Sequence, residues 1–333
     1  MILPATVRGG NEVAGRIVVA RKFPPNVVAR AKAEFDALVA DRVLGMAELF
    51  QACRDHKAEA FLFSGGGQGL SAANLPDLPD SVKIAATVSV GFDHIDVAAC
   101  KAKGLIVTNT PEVLTGCTAD TAFTLLLCAA RRFGEYFRVM HDQGGWQAMG
   151  GAPLGTRVHG KRLGIFGFGR IGQAVADRGR GFGMRILYHD VARKIPEHER
   201  GAEYFASFEE MLPHCDFLSL HADFNAKTAK IINARTLALL PKGAVFVNAA
   251  RGGLVDEDAL YAALTSGHLA AAGLDVFQKE PDFDARFAGL ANVFLTPHAG
   301  SATHETRDAM GFRALDNIAA VLSGRAPIDP LWR

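Results

Sequence analysis

Residues 162–172 read Arg162-Leu163-Gly164-Ile165-Phe166-Gly167-Phe168-Gly169-Arg170-Ile171-Gly172. The first five form an apolar, strand-like run, and the last six match the pattern GxGxxG. Such a match alone says little, because glycine-rich turns are common. Its surroundings make it specific. A helical stretch, Gln173 to Arg180, follows at once. A second strand-like run, Arg185-Ile186-Leu187-Tyr188, then leads to Asp190, about twenty residues beyond the motif. Strand, glycine turn, helix, strand and acid in this order are the fingerprint of a dinucleotide site.

Each position in the fingerprint has a physical job. Gly167 permits the tight turn, Gly169 lets the backbone approach a pyrophosphate, and Gly172 lets helix and strand come close. The helix start at Arg170 and Ile171 offers free N–H groups and a positive dipole end to the phosphates. Asp190 would accept hydrogen bonds from the adenosine ribose. A carboxylate there repels a ribose 2′-phosphate and leans toward NAD. Arg193 and Lys194 lie just beyond. They read either as solvated surface charges or as a clamp for that phosphate, so NAD and NADP both stay open.

Similar runs extend in both directions. Downstream, Asp216–Leu220, Ala244–Val247, Ala270–Leu274 and Val293–Leu295 continue an α/β series. Upstream, Arg16–Ala20, Ala60–Phe63, Val82–Val88 and Gly104–Thr108 read as strands, with a helical stretch from Val27 to Leu38. Strands alternating with helices imply βαβ units and parallel sheets. A long apolar helix is expected from Thr118 to Arg132, a connecting arm from Gly144 to Gly160 around Trp146, and an amphipathic helix from Thr306 to Leu322.

Composition narrows the class. Of the 333 residues, 49% are hydrophobic and 21% charged, enough to build buried cores and unlike a disordered chain. Lys and Arg total 36 against 35 Asp and Glu, so neither nucleic acid nor an anionic membrane is an expected partner. No apolar run approaches the roughly 20 residues that span a bilayer, and the opening residues are not expected to act as a signal peptide. The five cysteines, Cys53, Cys100, Cys117, Cys128 and Cys215, are scattered and form no CxxC. They point to a reducing, cytoplasmic setting. No histidine set has metal-ligand spacing, so no metal is expected.

Three segments after the fingerprint carry unusual chemistry where strands end. They are Asn248-Ala249-Ala250-Arg251-Gly252, Gly273-Leu274-Asp275 through Glu280-Pro281, and Thr296-Pro297-His298-Ala299-Gly300. In an open α/β sheet, strand C-termini face the ligand. An arginine, an acid and a histidine would therefore converge there. Alone, each has a duller reading as an ion-pairing arginine, a solvated glutamate or a structural histidine. The ordered set carries the argument.

With these segments in hand, the sequence resembles the D-isomer-specific 2-hydroxyacid dehydrogenases. Within them it is most similar to the glyoxylate and hydroxypyruvate reductase branch. Val88-Ser89-Val90-Gly91-Phe92-Asp93-His94-Ile95-Asp96 resembles the family's substrate loop. Thr108-Asn109-Thr110-Pro111 and Leu114-Thr115 resemble its hinge and the start of the helix after it.

The resemblance implies a Rossmann-type doubly wound domain, residues 112–304, inserted in a flavodoxin-like α/β substrate domain, residues 1–111 plus 305–333. It implies a hinge whose closure brings Val90 and Gly91 toward the other site residues. Arg251 would hold the substrate carboxylate and 2-oxo oxygen, helped by the backbone N–H groups of Val90 and Gly91. His298 would be the general acid in reduction, and Glu280 its orienting partner. Asp275 would bind the nicotinamide carboxamide or the adjacent ribose, and Thr115 and Ala249 would also touch the cofactor. The substrate would be a small 2-oxo or 2-hydroxy acid. A homodimer is expected, with Thr118–Arg132 and the Trp146 arm as interface pieces.

Ala249-Ala250 stand where Thr-Ala is frequent, and Ser64–Leu70 is unusually glycine-rich, which would leave that loop mobile. The alternatives are a dehydrogenase for phosphoglycerate or lactate, and a non-catalytic dinucleotide-sensing protein.

Overall fold

Strands of a parallel sheet are covered by helices on both faces, so they carry apolar side chains without alternation. The sequence runs Ala60–Phe63 and Ala244–Asn248 are wholly buried for this reason. The computed structural model describes residues 14–142 and 154–332. Contacts divide the chain into two units, Met1–Val113 with Thr303–Arg333, and Leu114–Ala302.

The first unit has five strands, β1 (Arg16–Val19), β2 (Asp36–Val39), β3 (Ala60–Phe63), β4 (Ile84–Thr87) and β5 (Ile106–Thr108). All pair in parallel, in the order β2-β1-β3-β4-β5. That is the flavodoxin-like order expected. Helices α1 (Pro25–Glu34), α2 (Met46–Asp55) and α3 (Val97–Lys103) connect the strands.

Strand β2 departs from the sequence reading, which carried a helix through Leu38. The helix stops at Glu34, because Phe35 turns extended and buries its ring. Asp36–Val39 then adds an edge strand, half exposed as edges are.

The second unit begins with α4 (Thr115–Ala130) and α5 (Phe133–Asp142). Seven parallel strands follow: β6 (Arg162–Phe166), β7 (Arg185–His189), β8 (Glu203–Tyr204), β9 (Phe217–Leu220), β10 (Ala244–Asn248), β11 (Leu269–Leu274) and β12 (Val293–Leu295). Their order is β12-β11-β10-β9-β6-β7-β8, with the reversal between β6 and β9. This is the doubly wound Rossmann arrangement with one further strand. Helix α6 (Arg170–Gly181), the short turns α7 (Pro196–Glu199), α8 (Phe208–Met211) and α9 (Ala234–Ala238), and α10 (Glu257–Thr265) link the strands.

The two faces of this sheet have separate cores. Ile165, Val245 and Val247 face α4 and α6, in a cluster with Ala119, Leu125 and Val175. Phe166 and Phe246, one residue along, face Leu254 and Leu260 on the other side. Successive strand residues point to opposite faces, so both registers must be apolar. The long apolar helix expected at Thr118–Arg132 is α4, and its apolar face lies in this intramolecular core. The final helix, α11 (His304–Leu322), is capped by the Thr303 hydroxyl and belongs to the first unit. Most of the expected connecting arm, including Trp146, lies outside the described residues.

Candidate active site

The C-terminal ends of the seven parallel strands share one edge, the ligand side of such sheets. Along it come Asp190 after β7, Gly167 after β6, His221 after β9, Arg251 after β10, Asp275 after β11 and His298 after β12. Four strand spacings separate β7 from β11. At 4.8 Å each this is about 19 Å, the scale of an extended ligand.

The glycine turn follows the physical reasons for its residues. Gly167 has φ +91°, and a methyl group on it would lie 2.5 Å from the Ala222 nitrogen. A methyl on Gly172 would lie 2.2 Å from the Gly167 carbonyl oxygen. Gly169 differs, because no protein atom stands within 4 Å of where its Cβ would be. Packing gives no reason for that glycine, whereas a pyrophosphate against the backbone does. Gly169 also caps α6, whose first residues Arg170 and Ile171 leave N–H groups without an intrahelical partner. These residues fit a bound dinucleotide.

Asp190 closes the turn from the next strand. Its carboxylate accepts from the Phe168 N–H at 2.9 Å and the Val191 N–H at 2.7 Å. Lys194 Nζ sits 3.0 Å from the same carboxylate. Arg193 is drawn to Glu199 at 2.8 Å, and the Tyr188 hydroxyl donates to Glu199 at 2.6 Å. Burial, then the Glu199 contact, push the Tyr188 phenol up to about 12. Both cations that the sequence offered to a 2′-phosphate thus sit on carboxylates.

At the other end of the edge, the buried Asn248 folds the chain after β10 into a turn. Its Oδ1 accepts from the Ala250 N–H at 3.0 Å, and its Nδ2 donates to the Arg251 carbonyl at 2.9 Å. Ala249 is buried within this turn. The Arg251 guanidinium donates to the Ala250 carbonyl at 2.8 Å.

His298 has φ +52°, a left-handed backbone uncommon outside glycine and often found at functional sites. Its N–H donates to the Asp275 carbonyl at 2.8 Å. Its Nδ1 lies 2.6 Å from Glu280 Oε2, and Glu280 Oε1 accepts from the Phe277 N–H at 2.9 Å. Burial alone would raise the Glu280 pKa. The His298 and Phe277 hydrogen bonds and the charges of His298 and Arg251 outweigh it, so the carboxyl lies below its usual value. The structure thus brings Arg251, Glu280 and His298 into one electrostatic neighbourhood.

Asp275 is fully buried and clamps the His298 loop. Its carboxylate accepts from the Thr296 hydroxyl at 2.6 Å, the Ala299 N–H at 2.6 Å and the Gly300 N–H at 2.9 Å. Those three donors take most of the roughly four acceptor positions of a carboxylate. At most one remains for a cofactor amide. Thr115 opens α4 one turn before Thr118, which lies beside Gly300.

Val90 and Gly91 follow β4 in the first unit. The Val90 carbonyl accepts from Asn109 Nδ2 at 2.8 Å, and the Gly91 carbonyl from the Ser89 hydroxyl at 2.8 Å. The neighbouring glycine-rich loop is held by the buried Gln68, which donates to the Leu44 carbonyl at 2.9 Å and accepts from the Ser64 N–H.

Sequence reasoning gave no role to Asn248 or Thr296. An asparagine closing a wholly apolar strand was the available signal for the first. His221 likewise had no expected role. It follows β9 beside Gly167, and its Nε2 lies 2.8 Å from the Ser219 hydroxyl. Desolvation pushes its pKa down to about 3, so it is neutral. Among the described residues no three His, Cys, Asp or Glu side chains could hold a metal, and no helix is long and apolar enough to cross a membrane.

A profile for the D-isomer specific 2-hydroxyacid dehydrogenase NAD binding domain matches residues 123–300. A glyoxylate reductase of Thermococcus kodakarensis is 41% identical over 321 residues, covering 94% of each chain. A glycerate dehydrogenase of Hyphomicrobium methylovorum is 36% identical over 315 residues, covering 93% of this chain and 96% of its own. The NADPH-dependent glyoxylate/hydroxypyruvate reductase of Sinorhizobium meliloti, solved with NADP and malonate, superposes with a TM-score of 0.85 at 35% identity. That match covers 96% of this chain and 97% of the other.

Proposed function

The chain belongs to the D-isomer-specific 2-hydroxyacid dehydrogenases, and on that premise we propose that it reduces glyoxylate or hydroxypyruvate with Arg251, Glu280 and His298 as its catalytic set. It is an oxidoreductase of CH–OH groups that uses NAD or NADP. The observation that carries the site assignment is the 2.6 Å contact between His298 and Glu280, with the Arg251 charge acting on the same carboxyl.

The chemistry follows from the side chains. The planar Arg251 fork binds the substrate carboxylate and orients the 2-oxo group. His298 gives its outer proton to the developing alkoxide, and Glu280 holds the ring in the orientation that presents it. When bound, the nicotinamide supplies the hydride. Gly167, Gly169, Arg170, Ile171 and Gly172 seat the pyrophosphate, and Asp190 the adenosine ribose. Thr115, Ala249 and the remaining acceptor position of Asp275 line the nicotinamide end. Val90 and Gly91 present backbone N–H groups to the substrate carboxylate. In this reading residues 1–111 with 305–333 bind substrate and residues 112–304 bind the dinucleotide.

The Lys194–Asp190 and Arg193–Glu199 pairs support NAD as the preferred coenzyme. A cytoplasmic homodimer belongs to the same proposal. Five free thiols support the compartment. On α5, Phe137 is 63% exposed and Met140 49% exposed, an apolar face suited to a second copy. Sedimentation that finds only monomers at micromolar concentration overturns the dimer.

The test of function is a matrix of 2-oxo acids against NADH and NADPH, ranked by kcat/KM. Glyoxylate and hydroxypyruvate should lead. A leading phosphohydroxypyruvate or pyruvate would move the substrate elsewhere. Tight NADH binding without turnover on any acid would favour a sensor.

A further inference from the structure

In the first unit, three consecutive carbonyls after β4 are each held by a named donor. The Ser89 carbonyl accepts from the Thr110 N–H at 2.9 Å. The Val90 carbonyl accepts from Asn109 Nδ2 at 2.8 Å, and the Gly91 carbonyl from the Ser89 hydroxyl at 2.8 Å. A trans peptide points its N–H opposite to its C=O. Holding the Ser89 carbonyl therefore aims the Val90 N–H, and holding the Val90 carbonyl aims the Gly91 N–H. The Ser89 hydroxyl fixes the next peptide in the same way.

The hydroxyl is itself held in turn. Ser89 Oγ lies 2.9 Å from Thr87 Oγ1, which lies 3.1 Å from His94 Nε2. A hydroxyl has one proton to give. Ser89 gives its proton to Gly91, so Thr87 must donate to Ser89 and His94 Nε2 must donate to Thr87. The chain of donors runs one way, from the imidazole to the loop carbonyl. Thr87 is wholly buried, and the His94 ring lies edge-on to Phe63 at 5.8 Å. The origin of the chain is thus fixed to the sheet.

We propose that Asn109 and Ser89, the latter backed by Thr87 and His94, are positioning residues that aim the Val90 and Gly91 N–H groups at the substrate carboxylate. This rests on the reading that those N–H groups bind the carboxylate. None of the four side chains needs to touch the reacting atoms. Their effect is on substrate affinity, through the shape of the loop.

Asn109→Ala and Ser89→Ala should each raise KM for glyoxylate about three- to tenfold, the range of one neutral hydrogen bond. Turnover and the NADH dissociation constant should stay within about twofold. Ser89→Thr, which keeps the hydroxyl, should restore KM. Thr87→Val should add little to Ser89→Ala, because both break one chain, whereas Asn109→Ala should add fully. Arg251→Ala is measured in parallel. If it raises KM while the loop variants do not, the positioning role is wrong and the carboxylate reading stands. If it leaves KM unchanged, the carboxylate reading fails and takes this proposal with it. A rise in KM accompanied by lost NADH binding would mark general unfolding and also overturn the proposal.

Discussion

His298 Nδ1 lies 2.6 Å from Glu280 Oε2, and this contact decides which ring nitrogen faces the substrate side. With Nδ1 committed to the carboxylate, Nε2 is the nitrogen that carries the exchangeable proton. Glu280→Gln keeps the shape and removes the charge. It should lower kcat tenfold or more, within the roughly 10²–10⁴ that general acid catalysis supplies. Glu280 titrates below its usual value, so its pairing with His298 is complete above the ordinary carboxyl range. The pairing is lost as pH falls through the lowered pKa. The pH profile of kcat should therefore lose an acid limb in the variant, and an unchanged profile would count against the pairing.

Arg251→Lys keeps the charge and loses the fork. A bidentate contact to a carboxylate cannot be rebuilt by a point-like ammonium. The variant should lower kcat/KM for glyoxylate about 10- to 100-fold, the value of one charged hydrogen bond. Steady-state kinetics at saturating NADH would read this, and wild-type efficiency would exclude the clamp.

Asp190 holds Lys194 at 3.0 Å. Asp190→Ala removes a charge that repels a 2′-phosphate and releases a cation that attracts one. The ratio of kcat/KM with NADPH to that with NADH should rise about tenfold or more, two charge effects of order 1 kcal/mol acting together. A fall in the ratio would contradict the role given to this pair.

His221 is neutral in the folded chain, with its pKa pushed down to about 3 by desolvation. Unfolded, it titrates near 6.5. Its folded pKa is depressed, so its contribution to stability is intact above about 6.5 and is lost as pH falls toward 3. His221 is only partly buried, so the loss in that window stays below the limit of about 1.4 kcal/mol per pH unit. Urea unfolding between neutral pH and pH 4 should therefore show a steeper decline for the wild type than for His221→Gln. Parallel declines would mean that the imidazole is hydrated.

The fingerprint was legible because its parts are consecutive in the chain and each has a local reason. Arg251, Glu280 and His298 were legible as an ordered set, because each follows an apolar strand. Other features had no local signal. The donors to Asp275 come from residues 296–300, and only the fold brings them near. The cofactor contact expected of that acid needs only one of its acceptor positions, and its hold on the His298 loop through the others had no signal in the chain. Strand β2 was hidden because Val27–Leu38 has helical spacing throughout. The burial of Phe35, a tertiary event, ends the helix there. The ion pairs at Arg193 and Lys194 likewise depend on side-chain placement that spacing does not reveal.

The most direct test of the catalytic assignment is the turnover of His298→Ala in glyoxylate reduction, measured beside NADH binding by fluorescence titration. The arrangement of Arg251, Glu280 and His298 predicts that kcat drops by about 10²–10⁴ while NADH binding is retained. Wild-type turnover in that variant would contradict it.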